Sequence, residues 1–205
     1  MSTLTNSKRV DPSYFTNGLT YAAYRSLIDE LLKEEKVTGA TQTDALVNYT
    51  RLNVQRMNRI DKTVKILSDV ELVMHAVTRP QTWVVLTEGW CGDAGQILPI
   101  LNTMASLNPK INLRMVLRDD NLELMDQYLT GTSRSIPRLI VADTATATEL
   151  FNWGPRPSTL QDLFMQWKAE GITGTELTEK VHSWYAKDKT ATTQKDIAAL
   201  LKAHL

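Results

Sequence analysis

Cysteine is almost missing from this chain: its 205 residues contain one, Cys91. A single thiol excludes any internal disulfide, and such sparse use suits a reducing cytosol. Charge imbalance is missing too. Lys plus Arg and Asp plus Glu each number 23, so no global field favours nucleic acid or a membrane surface as a partner. No apolar run approaches the roughly 20 residues of a membrane span. The first residues, Met1-Ser2-Thr3-Leu4-Thr5-Asn6-Ser7, lack the apolar stretch of a signal peptide, so a cytoplasmic location is expected. His75, His182 and His204 are scattered and have no companion cysteine, so neither a zinc site nor any other metal site is expected. Asp119 and Asp120 with Glu123 and Asp126 read as helix capping and a solvated face. Repeats and low-complexity tracts are absent as well.

What is present first is helical. Residues 1–18 are polar and turn-rich and read as an arm or tail. Tyr21, Tyr24, Leu27, Ile28, Leu31 and Leu32 then recur at helical spacing until Gly39 breaks the pattern. Leu46, Val47, Val54, Met57, Ile60, Val64 and Leu67 form the apolar side of a second helical stretch. Its other side carries Arg51, Arg56 and Arg59 among Asn48, Asn53, Gln55 and Asn58. That polar face suits plain surface, a lid over the business end of the fold, or an anionic partner. A third helix over about 68–77 ends before Arg79-Pro80.

From residue 79 the pattern alternates. Trp83 to Thr87 reads as a strand buried on both faces, followed by a helix over 94–107 that Asn108-Pro109 stops. Ile111 to Leu117 reads as a second strand, parallel to the first through the helical crossover. Asp119 or Asp120 is expected to cap a helix over about 121–129, with Gly131 behind it. Leu139–Val141 and Leu150–Trp153 predict a hairpin. Trp153-Gly154-Pro155-Arg156-Pro157 reads as a rigid turn whose glycine permits close packing. A helix over 158–167 follows, and two more near 175–187 and 193–203 close the chain.

The cysteine stands in Leu86-Thr87-Glu88-Gly89-Trp90-Cys91-Gly92-Asp93-Ala94, where the strand runs into the helix. Pro99 lies inside that helix, and Arg134-Ser135-Ile136-Pro137-Arg138-Leu139-Ile140 leads into the hairpin. In this order, over roughly residues 80–170, these segments resemble thioredoxins. Those proteins present a dithiol as Trp-Cys-Gly-x-Cys, kink the following helix at a proline and face the cysteine with a cis-proline loop. Ala94 stands here in the second cysteine's place. Together with Leu117-Arg118-Asp119-Asp120-Asn121-Leu122-Glu123-Leu124-Met125-Asp126, the Trp-Cys-Gly-Asp-Ala motif looks like a bacterial thioredoxin-like family. The resemblance implies an α/β thioredoxin-like fold: a central mixed four-stranded sheet flanked by helices. Residues 1–78 would form an all-helical N-terminal extension, 79–170 the core, and 171–205 C-terminal helices packed on it.

The chemistry follows from the position of the thiol. A free cysteine titrates near ~8.5, and a helix N-terminus, worth roughly +0.5 charge, favours the thiolate. Gly92 lets the backbone approach closely, and Trp90 offers an apolar wall to a bound thiol or peptide. An exposed, functional thiol is expected; the plainer reading is a small buried residue. Asp93 replaces the proline usual in thioredoxins. It can cap the helix or accept a proton from a leaving thiol, while its charge, with that of Glu88, raises the thiol pKa. A cis Pro137 would present the backbone of Ser135 and Ile136 for strand-like pairing with a substrate. Arg134 and Arg138 flank this loop; the plain reading of an exposed arginine is a solvated one, and the alternative is that one of them holds a substrate carboxylate or counterbalances Asp93.

Two classes of function follow. In the first, the protein is a monothiol thiol-disulfide oxidoreductase. Cys91 attacks a mixed disulfide of a protein or small molecule, and glutathione or bacillithiol resolves the intermediate as co-substrate. No bound cofactor, nucleic acid or membrane is expected, and the oligomeric state is left open. In the second, the fold is a catalytically inactive binding module in which Cys91 is a remnant.

Overall fold

The computed structural model describes residues 8–205, so the first seven residues of the expected N-terminal arm lie outside the described residues. The rest of the arm is tied down. Val10 N donates to Ala147 O, and Leu19 pairs with Met115 on both backbone groups. A short helix, α1 (Ser13–Asn17), lies between these ties.

Three helices follow: α2 (Tyr21–Lys33), α3 (Asp44–Thr63) and α4 (Ser68–Ala76). Side chains start the first two, since Thr20 accepts from Ala23 N and Thr43 from Leu46 N. The second stretch ends four residues before Leu67. Val64 leaves the helix at φ −62° and ψ 130°. The next carbonyl, that of Lys65, and the Leu67 N–H are both bound by the Gln194 side chain instead of by a helical turn.

The sheet runs in the order β2-β1-β3-β4. Strand β1 (Gln81–Thr87) is buried along its whole length, as its run of Trp83, Val84, Val85 and Leu86 demands of a central strand. It pairs in parallel with β2 (Ile111–Leu117) and antiparallel with β3 (Arg138–Asp143). Strand β4 (Glu149–Trp153) completes the hairpin. The crossover is α5 (Gly92–Ser106), which carries Pro99 inside it and is buried at most of its positions. The mixed four-stranded sheet flanked by helices is thus as expected.

The helix expected over 121–129 is shorter, α6 (Leu122–Met125), and neither aspartate caps it. Asp119 is held by the Arg118 guanidinium, and its backbone N–H donates to Glu88. The chain ends in α7 (Ser158–Ala169), α8 (Gly174–Asp188) and α9 (Ala191–Lys202). Helix α3 lies across α5 at close range: a Cβ added to Gly95 would stand 3.1 Å from Asn53. Asn53 also donates to Gly89 O at 2.9 Å, just ahead of the cysteine. Among the described residues no helix is long and apolar enough to cross a membrane.

Candidate functional site

Cys91 occupies the N-cap position of α5, where the chain leaves β1. Its side chain is enclosed, with the residue 8% exposed, and Sγ donates to Ile136 O at 3.3 Å. The Ile136–Pro137 peptide is cis. Gly154, at φ 120°, lets the turn after β4 press against this loop, since a Cβ there would strike the Pro137 carbonyl oxygen. The two sequence segments thus meet through one sulfur and one carbonyl.

The exposed thiol anticipated at the helix terminus is not what the structure shows. Burial pushes the Cys91 thiol up to about 12, and the charge of Asp93 adds to the rise. The N–H groups of Ala94 and Asp93 and the charge of Arg156 pull the other way without prevailing. Desolvation here exceeds the helix terminus, because no counter-charge among the described residues touches the sulfur directly.

Asp93 does not cap α5. Its carboxylate is buried and pairs with Arg156 at 2.8 Å, where the two side chains are 9% and 15% exposed. Tyr185 OH donates to the other oxygen at 2.9 Å. Burial raises the Asp93 pKa, and Arg156 and Tyr185 oppose that rise. The counter-charge weighed as an alternative for Arg134 or Arg138 is therefore supplied by Arg156. Arg134 instead forms an exposed two-pronged pair with Asp126, at 2.6 and 2.9 Å. Arg138 is buried on β3, reaching Thr130 and Asn152.

The remaining expected residues separate into two groups. Trp90, Gly92 and Asp93 line a cleft of about 300 Å³ that opens beside the cysteine. Trp90 is fixed by its N–H to Thr38 O at 3.2 Å and by the Arg118 guanidinium 4.8 Å from its ring centre. Ser135, Ile136 and Pro137 lie across the sulfur. The Ser135 N–H turns back to Ser133 O, and Ile136 O already accepts from Cys91. One backbone group of each residue expected to face a docking strand is thus engaged within the chain. Glu88 is fully buried, its pKa raised by burial; one oxygen accepts from Asp119 N and the other has no hydrogen-bond partner among the described residues.

Four site residues were not singled out as such. Arg56 and Tyr49 reach the cleft from α3, Arg156 from the turn before α7, and His182 from α8. Only the polar face of α3 carried a sequence signal for any of them. Leu46, Phe164, Leu177 and Val181 supply apolar wall.

An N-terminal helix cysteine facing a cis-proline loop across a β1-α5-β2 unit and a hairpin defines a thioredoxin-like protein. The chain belongs to the thioredoxin family, whose model matches residues 39–168, taking in α3 and α4 along with the sheet. No curated protein matches it. Two solved structures share the fold. A protein of unknown function from Pseudomonas aeruginosa is 17% identical with a TM-score of 0.65, over 97% of this chain and 100% of that one. An HIV epitope-scaffold is 16% identical with a TM-score of 0.63, over 94% and 98%.

Proposed function

We propose that the protein is a monothiol oxidoreductase that exchanges Cys91 with small mixed disulfides entering the cleft beside it. The observation that carries this reading is the convergence at one turn of Cys91 Sγ, the Ile136 carbonyl ahead of Pro137, and a cleft lined by Trp90, Gly92 and Asp93. Cys91 Sγ attacks one sulfur of the disulfide, the S–S bond breaks, and the Cys91 proton passes to the departing thiolate. A second soluble thiol, such as glutathione or bacillithiol, then attacks the Cys91 mixed disulfide and leaves with the substrate sulfur as a new disulfide. Cys91 takes up the proton. Ala94 is not able to resolve the intermediate, so the external thiol is obligatory. Asp93, buried with a raised pKa, is the group in the same helical turn suited to pass the proton.

A specific observation favours a second reading. A thiol pushed up to about 12 is almost wholly protonated at neutral pH, as expected if the site only binds. Incubation with a mixed disulfide, followed by intact mass measurement, separates the two. One adduct on the wild type, none on Cys91→Ser, and its removal by added glutathione support exchange. No adduct until the protein unfolds sinks the enzyme reading and leaves the binding module.

A further inference from the structure

Around the Asp93–Arg156 pair the cleft contains a second cation that is not neutralised. Arg56 donates to Asn53 Oδ1 at 2.6 Å and forms no ion pair among the described residues. The nearby carboxylate, Asp93, is already held by Arg156 and Tyr185. Arg59 on the next turn adds a further positive charge, and among the described residues its side chain reaches only Gln96 Oε1, at 3.5 Å. The Gln96 amide nitrogen lies 3.3 Å from His182 Nδ1 and donates to it. That contact sets the ring proton on Nε2, and Nε2 makes no hydrogen bond in the described residues. Both donors converge above the first residue of α5. A Cβ built on Gly92 would stand 3.1 Å from His182 Nε2 and 3.8 Å from an Arg56 nitrogen. Burial and the charges of Arg56 and Arg59 push His182 down to about 4, so the ring is a neutral donor at physiological pH. Apolar side chains form much of the surrounding wall: Trp90, Phe164, Leu177 and Val181.

We infer that this cleft recognises its small-molecule ligand by a carboxylate, held by the Arg56 guanidinium and the His182 Nε2–H over the N-terminal turn of α5. The planar fork of arginine matches a carboxylate with two parallel hydrogen bonds, and the neutral imidazole adds a third donor. The ligand body then lies against the apolar wall, with its sulfur directed to the turn carrying Cys91. This deepens the exchange reading and rests on it for the identity of the ligand as a thiol or disulfide. Recognition of the carboxylate can be tested without any exchange.

The probes are S-methylglutathione and 3-(methylthio)propionate, thioethers that do not exchange, with the methyl esters in which every carboxylate is masked as their partners. They are titrated into the full-length Cys91→Ser protein by calorimetry and by NMR of the His182 imidazole. At least one acid is expected to bind, its ester to bind weakly or not at all, and the His182 titration to move upward as the anion arrives. Arg56→Gln weakens the acid by about tenfold or more, the effect of losing hydrogen bonds to a charged group. Arg56→Lys keeps the charge without the fork and loses less. Equal binding of acid and ester, no effect of Arg56→Gln, an unmoved His182, or no binding of either acid overturns the inference. Wild-type exchange that proceeds equally with acids and esters overturns it while leaving the exchange reading intact. Carboxylate binding without exchange does the reverse.

Discussion

Replacing Arg156 with alanine isolates the electrostatic design of the site. The guanidinium lies 2.8 Å from the buried Asp93 carboxylate, and two unit charges at that separation attract by about 6 kcal/mol at an effective dielectric of ~20. Desolvation offsets much of this attraction, so the pair adds little net stability. Removing one partner, however, strands the other charge in the interior and typically costs about 3–5 kcal/mol. Tyr185 OH remains to donate to Asp93, which places Arg156→Ala toward the lower end. The pH dependence has a definite sign. Burial raises the Asp93 pKa above its ordinary 3.8, so the group favours folding at low pH and that advantage is lost as pH rises through the folded value. Removing Arg156 raises the pKa further. The variant therefore loses most stability near pH 7 and recovers part of the loss near pH 4.5. Urea unfolding at the two pH values reads both. A loss below about 1 kcal/mol at pH 7, or an equal loss at both, would show that the pair is effectively solvated and refute the reasoning.

Asp93→Asn removes the charge that adds to the rise of the Cys91 thiol. Haloacetamide alkylation of Cys91 should accelerate at pH 8 relative to wild type; an unchanged rate would mean that burial alone sets the thiol. Gly154→Ala, at φ 120° and against the Pro137 carbonyl, should cost about 2–4 kcal/mol. Gly171→Ala, at φ 82° in open space, should cost only the left-handed penalty of about 1–2 kcal/mol; equal losses by thermal unfolding would contradict the packing at Pro137. His182 falls from its ordinary 6.5 to about 4. The stability tied to its neutral form is thus complete above pH 6.5 and lost as pH falls toward 4. The shift corresponds to about 3 kcal/mol at 1.36 per unit, and about half that after screening of a partly exposed ring. A His182→Asn variant should lack this acid loss in urea titrations.

Much of the fold was legible because its elements are local. The unbroken run from Trp83 to Thr87 and the alternation from Ile111 to Leu117 carry β1 and β2 in period alone. Helix ends were less legible: Val64 to Leu67 continue an apolar pattern but follow the Gln194 side chain from the far end of the chain. For the site, the thioredoxin-like segments located Cys91 and Pro137 because each motif is contiguous. Arg156, His182 and Tyr185 were invisible, since nothing in their own surroundings announces a role.

The sequence by itself determined the order of strands and helices, the single thiol at a strand-helix junction and the alanine at position 94, where a dithiol would need its second sulfur. Periodicity and short motifs act over a few residues, and those features need no more. Only the tertiary structure decided that the thiol is enclosed and neutral, that Asp93 answers to Arg156, and that Arg56 and His182 share one cleft. Charge and desolvation depend on distance in space, and α3, α8 and the turn before α7 meet at the cleft beside Asp93 only once the chain is folded.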